Sequence, residues 1–434
     1  MNMVELIIKK RDGNQLSDGE IREIISGYVN GQVADYQMSA LLMAFYFQGL
    51  SNDEIFTLTD AMMHSGEIID LSDIPGIKVD KHSSGGVGDK ISLIICPIVA
   101  AAGVKVAKMS GRGLGFTGGT IDKLHAIPNF KTDLTMDQFK KQVSEIGVCI
   151  AGQTEDIAKA DKLLYALRDV TGTVDVMGLI ASSIMSKKLA MGSDAILLDV
   201  KYGKGALMKT KEDAQKLANL MVEIGQNAGK TVEAVLSNMD QPLGNQVGNA
   251  NEVIEAIETL KGNGPKDLTE LAIEISGKMI YLGQGAVDEN QGREIAKQLI
   301  ENGKALNKFR QFVEAQGGEG KIVDDYNSLP KPKYEMIFTG ADLGLQFDEK
   351  AAIREIEANL VGEASLLSGA GREKKDDEID LSAGIELIKK VGSEFSVNDP
   401  IAKIFGNNHD KLVEAFEKLK EAYVVDVENG CACN

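Results

Sequence analysis

Two glycine-rich segments, each placed directly after a short run rich in β-branched residues, restrict the fold of this chain more than any other feature. The first segment, Asp80–Asp89, follows Ile77–Val79, and the second, Lys108–Thr120, follows Val104–Val106. Helical patterns alternate with these and with later apolar runs, for example over Lys211–Ile224. Such alternation is typical of a parallel sheet with helices on its faces, in which ligands gather at the strand ends. The sequence therefore predicts an α/β core whose glycine-rich loops lie near a binding site.

The segments on either side of this core have different sequence patterns. Ser17 and Glu20 have the spacing of a capping box, as do Ser51 and Glu54, which indicates that the chain opens with helices. Residues 36–49 are apolar nearly all round, and this predicts a buried helix. Beyond residues 330–332, short alternating segments and turn residues predict a small C-terminal α+β domain.

Length and charge exclude several classes of protein. A chain of 434 residues is too long for one ordinary core, so two or three domains are expected. The formal net charge of −18 argues against a nucleic-acid-binding protein, because such proteins usually have a basic surplus. No apolar run is long enough to span a membrane, and residues 1–11 lack the pattern of a secretory signal.

The cysteines carry little information about function. Cys96 and Cys149 lie in apolar surroundings, as buried thiols do. Cys431 and Cys433 form a C-x-C pair in a polar tail that we expect to be disordered, although a weak metal motif is the alternative. Nothing in this pattern requires an oxidising compartment, so a cytoplasmic location is expected.

The side chains among the glycines suit an anion. The first loop combines Lys81, His82 and two serines with three glycines, and the second has five glycines, three hydroxyls and two cations. Backbone N–H groups of such turns converge on anions, and the polar side chains add charge and donors. Loops of successive βα units lie side by side, so one phosphate could be held from both sides. For the first loop alone, a tight turn with a solvated lysine is an equal alternative.

A third polar segment lies farther along the chain. Ser183 and Lys187 are four residues apart, so on a helix they share one face. Together with Arg168 they suit a planar group that carries carbonyl oxygens. A solvated helix face with an incidental basic pair is the alternative interpretation.

These segments resemble the family of pyrimidine nucleoside phosphorylases and thymidine phosphorylases. The resemblance is carried by the loop at residues 110–123, by Asp80–Asp89, by Gln241–Gly244 and by Asp380–Leu381, and it extends over nearly the whole chain. It implies a pentosyltransferase of the glycosyltransferase class that acts in pyrimidine metabolism and nucleotide salvage. Phosphate would attack C1′ of a pyrimidine ribo- or deoxyribonucleoside, releasing the free base and (deoxy)ribose 1-phosphate in a reversible reaction.

The resemblance also implies roles for individual residues. His82, Arg168 and Lys187 are expected to be catalytic, His82 as a general acid and the two cations as stabilisers of the leaving base. The residues expected to contact the base are Tyr165, Arg168, Ser183 and Lys187. Those expected to bind phosphate are Lys81, Ser83, Ser92, Lys108, Met109, Ser110 and Thr120.

A monovalent cation such as potassium is a further implication of the resemblance. Its expected ligands correspond to Gly88, Leu243 and Glu255, together with positions 90 and 246. In this chain those two positions are Lys90 and Gln246. An ammonium group could therefore occupy the cation position itself. The sequence leaves open whether potassium is bound, and no cofactor is expected to be required.

The expected architecture is the three-domain type of the class II nucleoside phosphorylases, an α/β fold with a separate helical domain and a C-terminal α+β domain. The helical domain would comprise residues 1–66 and about 160–190, and would carry the base side and the interface of a homodimer. The α/β phosphate-binding domain would comprise residues 67–159 and 191–329, and the last domain residues 330–434. Phosphate and a pyrimidine nucleoside are the expected partners, with no nucleic acid and no membrane.

Four positions depart from the usual residues of the family: Ser84 replaces Thr, Phe116 replaces His, His125 replaces Glu and Leu207 replaces Phe. Phe116 and Leu207 make the pocket wall less able to order a polar contact, so we expect uridine, deoxyuridine and thymidine all to be accepted. The order of preference among them stays open. So do three alternatives: a strict thymidine phosphorylase, an enzyme like anthranilate phosphoribosyltransferase, which would need acidic metal ligands beside the loops, and a non-catalytic nucleoside-binding protein.

Overall fold

The computed structural model describes residues 2–113, 118–154, 156–347, 349–372, 374 and 377–428. Within them the α-helices are α1 (Met3–Arg11), α2 (Asp18–Val29), α3 (Asp35–Gln48), α4 (Asn52–Met63), α5 (Ile91–Ala101), α6 (Thr120–His125), α7 (Met136–Ile146), α8 (Lys159–Thr171), α9 (Met177–Ala190), α10 (Lys211–Asn227), α11 (Ala250–Leu260), α12 (Lys266–Leu282), α13 (Glu289–Glu301), α14 (Lys304–Ala315), α15 (Ala358–Ser365) and α16 (His409–Ala422). The strands are β1 (Lys78–Ser83), β2 (Lys105–Ser110), β3 (Val148–Gly152), β4 (Ala195–Tyr202), β5 (Thr231–Asn238), β6 (Gln246–Gly248), β7 (Tyr334–Thr339), β8 (Lys350–Ile356), β9 (Gly384–Leu387), β10 (Glu394–Ser396), β11 (Pro400–Gly406) and β12 (Tyr423–Glu428).

The chain divides into two compact units, each built from three stretches of sequence. One comprises Met1–His82, Gln153–Leu198 and Gln215–Ala234, and the other Ser83–Gly152, Asp199–Ala214 and Val235–Asn434. The three domain ranges inferred from the family resemblance stay a prediction. Within the part of the chain that the structure describes, no helix is both long enough and apolar enough to cross a bilayer.

The opening helices form as their capping residues predict. Both capping boxes are present, at Ser17 with Glu20 and at Ser51 with Glu54. Glu54 is buried and also pairs with the Lys10 ammonium at 2.7 Å, so one carboxylate caps α4 and ties it to α1. The apolar sides of these helices meet in one core cluster, to which α8 adds Ala160 and Leu164 and α9 adds Leu179.

The prediction of a fully buried helix over residues 36–49 is right for one face of α3 and wrong for the other. Met38, Leu41 and Phe45 lie in the helical core. Tyr36 and Phe47, however, keep 76% and 75% of their surface exposed. An all-round apolar sequence predicts burial, but the neighbouring helices of one chain cover only one side of α3. The other side therefore presents large apolar side chains to its surroundings.

The α/β core contains a five-stranded sheet with the order β3-β2-β1-β4-β5. Strands β2 and β3 pair in parallel, with Val106 opposite Val148 and Ser110 opposite Gly152. Strand β1 lies next to β2 in this order, so the loops that follow these two strands are neighbours, as the sequence predicts.

Two smaller antiparallel sheets follow in the C-terminal part, with the orders β10-β8-β12 and β6-β9-β11-β7. Residues 391–393 lie between β9 and β10, where Gly392 has a φ of +87° that suits glycine. The second of these sheets includes β6, which lies far earlier in the chain and pairs with β9 from Gln246 to Gly248. The segment just before α11 is thereby joined to the C-terminal strands.

Candidate active site

The predicted phosphate-binding residues begin inside the strands. The sequence pattern suggests that the first strand ends at Val79, but β1 continues to Ser83, and β2 continues to Ser110. Lys81 is fully buried and Lys108 and Met109 are nearly so. Backbone pairing of β2 with β3 overrides the low strand propensity of these polar residues. The site residues are consequently held by the sheet rather than by a loose loop.

The loop after β1 is organised by Asp89. The Ser83 hydroxyl donates to the Asp89 carboxylate at 2.5 Å, and the Gly85 N–H donates to the Ser83 oxygen at 3.3 Å. The other carboxylate oxygen of Asp89 accepts from the Ile91 N–H at 3.3 Å, at the start of α5. Ser92, the second residue of that helix, is buried, and the first turn carries no acidic side chain. The positive end of α5 therefore adjoins the Ser83 loop.

The start of the second loop is held through Asp122. One oxygen of this carboxylate accepts from the Gly113 N–H at 2.7 Å, and the other pairs with the Arg372 guanidinium at 2.9 Å. Asp122 lies in α6, whose first residue is Thr120. A C-terminal arginine thus supports the segment that follows Ser110. Phe116, one of the departures from the family pattern, lies outside the described residues.

A buried cationic network lies beneath the first loop. The Lys201 ammonium contacts Asp199 at 2.9 Å and the Ser237 oxygen at 3.1 Å, and its backbone N–H donates to the Ser84 oxygen at 2.8 Å. Burial alone would lower the pKa of Lys201, but the carboxylates of Asp199 and Asp89 raise it above its ordinary value. These carboxylates favour the charged form of the ammonium, while the backbone N–H of the same residue holds Ser84. Sequence reasoning missed Lys201, because nothing in the strand pattern marks it as part of the site.

Residues predicted to contact a base lie on α8 and α9 of the first unit. Ser183 and Lys187 share one face of α9, and the ammonium of Lys187 donates to the Ser183 oxygen at 3.3 Å. The same ammonium makes a short ion pair with Asp161, whose side chain is almost fully buried. Asp161 is a second functional residue that the sequence did not single out. This ion pair anchors the Lys187 ammonium from α8, and its predicted contact with a base stays a prediction.

Arg168, which is predicted to contact a base, also makes hydrogen bonds that hold the backbone. Its guanidinium donates to the carbonyls of Thr173 at 3.2 Å, Val174 at 2.7 Å and Leu179 at 3.3 Å. Three of the five N–H groups of an arginine are thereby used to hold the connection from α8 to α9. Its guanidinium carbon lies 5.9 Å from the centre of the Tyr165 ring, within the range of a cation–π contact. About half of the Tyr165 side chain is exposed.

His82 is only partly buried, at the penultimate position of β1. The other histidine near the loops, His125, lies with Nε2 2.8 Å from the Thr132 hydroxyl oxygen. Burial lowers the pKa of His125, and the charge of Arg112 lowers it further. Both effects disfavour the charged imidazolium at the position where the family usually has a glutamate. Leu207, the last departure, is partly exposed.

The position expected for a monovalent cation is filled by a side chain of the protein. The Lys90 ammonium donates to the carbonyl oxygens of Leu243 at 3.1 Å and Gln246 at 2.5 Å, and it makes a short ion pair with Glu255. Gly88 borders the same place, because a Cβ there would lie 2.6 Å from the Leu243 oxygen. The oxygens expected to bind the cation thus surround the Lys90 ammonium. Because this charged group already contacts them, they do not fit an additional ion. Among the described residues, no cluster of three or more His, Cys, Asp or Glu side chains could hold a metal.

Comparison with protein families places three matches along the chain. The helical bundle domain of a glycosyl transferase family matches residues 4–66, and the α/β domain of the same glycosyl transferase family matches residues 76–306. A pyrimidine nucleoside phosphorylase C-terminal domain matches residues 352–426.

Curated relatives are similar over almost their whole length. The chain is 52% identical over 415 residues to a pyrimidine-nucleoside phosphorylase of Bacillus subtilis (strain 168), covering 95% of this chain and 94% of the relative. It is 50% identical over 428 residues to that of Staphylococcus haemolyticus (strain JCSC1435), covering 99% and 97%. Among solved structures, anthranilate phosphoribosyltransferase from Thermus thermophilus matches with a TM-score of 0.56 and 17% identity, over 73% of this chain and 100% of that one. That likeness is one of fold.

Replacing Arg168 with methionine should loosen the connection from α8 to α9. The substitution removes the guanidinium donor from three carbonyls, two of them in buried contacts, and leaving a buried acceptor without its donor is costly. We expect faster amide hydrogen exchange in the peptide that covers residues 171–180, measured by mass spectrometry. Unchanged exchange in this peptide would contradict the structural role, and Lys141→Met, at an exposed lysine of α7, is the matched control.

Proposed function

Because this chain belongs to the family of pyrimidine-nucleoside phosphorylases, we propose that it catalyses the reversible phosphorolysis of pyrimidine nucleosides. The chain is a glycosyl transferase, and the group transferred is the pentose. Phosphate and a pyrimidine nucleoside are the proposed substrates, and the free base and a pentose 1-phosphate are the proposed products. We assign the activity to nucleotide salvage in the cytoplasm, without nucleic acid or membrane as a partner.

The observation that carries the proposal is the close likeness to curated phosphorylases over nearly the full length, with 52% identity across 95% of this chain. The geometry of the loops is consistent with it. Hydroxyls and backbone N–H groups follow two neighbouring strands of one sheet, and the start of α5 adjoins the first loop. These are the donors that a phosphate dianion needs.

The residues assigned to phosphate are those at the ends of β1 and β2. Ser83 and Ser110 supply hydroxyls, Lys81 and Lys108 supply positive charge, and Ser92 lies in the first turn of α5. The remaining members of the proposed set are Met109 and Thr120. This group would neutralise the charge of the phosphate dianion and leave one phosphate oxygen free to attack C1′ of the nucleoside.

The residues assigned to the base lie on α8 and α9. Cleavage of the glycosidic bond builds negative charge on the leaving pyrimidine, which is spread over its ring and carbonyl oxygens. The ammonium of Lys187 and the remaining N–H groups of Arg168 can stabilise that charge, as preorganised donors do. Asp161 and Ser183 hold Lys187 in place, so little reorganisation is needed. His82 is assigned as the general acid that protonates the base oxygen.

An activity like that of anthranilate phosphoribosyltransferase has no comparable support. A diphosphate substrate would call for acidic metal ligands beside the loops. The described carboxylates of Asp80, Asp89 and Asp122 are engaged: Asp80 with Lys188, Asp89 with Ser83, and Asp122 with Gly113 and Arg372. The likeness to that enzyme therefore extends to its fold alone.

The proposed reaction requires phosphate for base release. We expect uridine, deoxyuridine and thymidine all to yield free base in phosphate buffer, and none to do so when phosphate is omitted. Because Leu207 and Phe116 stand where the family usually has Phe and His, we expect weak discrimination, so kcat/KM for thymidine and uridine should differ by less than about 10³-fold. Base release at the same rate without phosphate would indicate a hydrolase, and a larger preference for thymidine would indicate a strict thymidine phosphorylase.

Lys187 is the residue whose loss should affect the leaving base most directly. Lys187→Met keeps an unbranched side chain, one atom shorter, but removes the charge, so kcat/KM for uridine should fall by about 10²-fold or more. Because the residue is not assigned to phosphate, the phosphate KM should change much less. Lys141→Met is again the matched control. Near-normal kcat/KM in Lys187→Met would show that the base is stabilised elsewhere.

We further propose that the protein is a homodimer formed through its opening helices. Helices α1 and α3 pack against each other, and each presents large apolar side chains to its surroundings. A second copy of the chain would cover them, and contiguous apolar surface of this kind is typical of subunit interfaces. The residues concerned are Val4, Ile8, Tyr36, Met43, Tyr46 and Phe47.

A charge on this face should prevent assembly. We expect the wild type to show twice the chain mass of 46.6 kDa by light scattering after size-exclusion chromatography, and Phe47→Glu to show the monomer mass. Val287→Glu, at an equally exposed apolar residue between α12 and α13, should leave the dimer intact. A wild-type protein that is monomeric at micromolar concentration would contradict the proposal.

A further inference from the structure

Lys90 is buried without any exposed side-chain surface, directly before the first residue of α5. A lysine is almost never fully buried unless its charge is paired. Its three N–H groups have three acceptors: the carbonyl oxygens of Leu243 and Gln246, at 3.1 Å and 2.5 Å, and a carboxylate oxygen of Glu255. A second carboxylate oxygen, from Glu252, lies 3.9 Å away. Each N–H group of the ammonium thus has an oxygen acceptor.

The oxygens around Lys90 are held independently of the lysine. The Glu255 carboxylate accepts from the backbone N–H groups of Asn245 at 2.8 Å and Gln246 at 3.1 Å, which closes the turn that presents the two carbonyls. The Leu243 N–H donates to the Val87 carbonyl at 3.1 Å. Two backbone carbonyls and one carboxylate in such a turn are the ligands that hard cations and dehydrated potassium ions take.

A second lysine supports the same turn. The Lys390 ammonium donates to the carbonyls of Pro242 at 2.6 Å and Gly244 at 2.7 Å, and to Asp267 at 3.1 Å. Burial lowers the pKa of Lys390, although Asp267 raises it, and the Lys90 charge lowers it further. Two ammonium groups of the protein therefore occupy the carbonyls of residues 242, 243, 244 and 246, and the Asn245 carbonyl accepts from the Leu387 N–H at 2.7 Å. An additional cation would meet like charge at close range in a buried place, where repulsion is strong.

We propose that the Lys90 ammonium replaces a bound monovalent cation in this protein, so that neither its stability nor its turnover depends on potassium. The ammonium is covalently tethered, so it cannot be lost when the salt concentration falls. Lys90 directly follows Asp89, which accepts a hydrogen bond from Ser83. The turn that carries the acceptors of Lys90 leads into β6, a strand of the C-terminal sheet. The tethered charge therefore joins the phosphate loop to that sheet permanently.

The test compares thermal unfolding in potassium chloride and in choline chloride of equal ionic strength. The wild-type midpoint, followed by circular dichroism, should be the same in both salts to within about 1 °C, and a potassium-specific rise would overturn the proposal. This arm does not depend on any variant folding, nor on the proposed reaction.

Two variants test whether the oxygens form a cation site. Lys90→Ser removes the ammonium, leaves room for an ion and keeps a residue suited to the position before a helix. It should lose about 5 °C or more in choline chloride, because Glu255 is left buried and unpaired, and recover most of this in potassium chloride. Lys90→Met fills the space without an oxygen and should be destabilised equally in both salts. If Lys90→Ser is as stable as the wild type in choline chloride, or is destabilised without any potassium-specific recovery, the proposal fails.

Discussion

The ammonium of Lys90 inside its ring of oxygens is the interaction on which the second unit depends. It lies between the loop that carries Ser83 and the turn that leads into β6, and β6 is the only early strand, among the described residues, that pairs with the C-terminal sheet. If the charge were absent, Glu255 would keep its two backbone N–H donors but lose its buried counter-charge, and the turn would lose the donor to two of its carbonyls. The arrangement of the loops that we assign to phosphate thus rests on a buried ion pair remote in sequence.

A similar principle organises the helical unit. Arg168 holds the connection from α8 to α9 through three carbonyls, and Asp161 holds Lys187. Each cation that is assigned to the leaving base is therefore fixed by the protein before any substrate arrives. Preorganised charge of this kind stabilises a transition state without the cost of reorientation.

Much of the fold could be predicted from the sequence, because local signals and long-range packing agree there. The capping boxes at Ser17 and Ser51, the alternation of strand and helix, and the glycine loops after neighbouring strands all appear as expected. The exposed face of α3 could not be predicted, because an apolar residue carries no mark of whether its cover comes from the same chain. The continuation of β1 through Lys81 to Ser83 depends on pairing within the sheet, which overrides propensity.

In the candidate site, too, local features could be predicted from the sequence and long-range contacts could not. Ser183 and Lys187 share a helix face because their spacing is local, and the sequence predicts this. The sequence did not indicate the contributions of Asp161, of Asp122 with Arg372, or of Lys201. Each of these residues contacts a residue far away in sequence or lies within an apparently ordinary strand. For Lys90 and Gln246 the family pattern named the positions and left open which group fills them, and the structure puts the ammonium there.

In the proposed reaction a phosphate oxygen, and not water, forms the new bond to C1′ of the nucleoside. The most direct measurement incubates the enzyme with uridine and phosphate labelled with ¹⁸O in every position, followed by mass spectrometry of the sugar product. We expect ribose 1-phosphate that retains all of the labelled oxygens, including the one that bridges carbon and phosphorus. Free ribose carrying an oxygen from water, with the labelled phosphate unchanged, would contradict it.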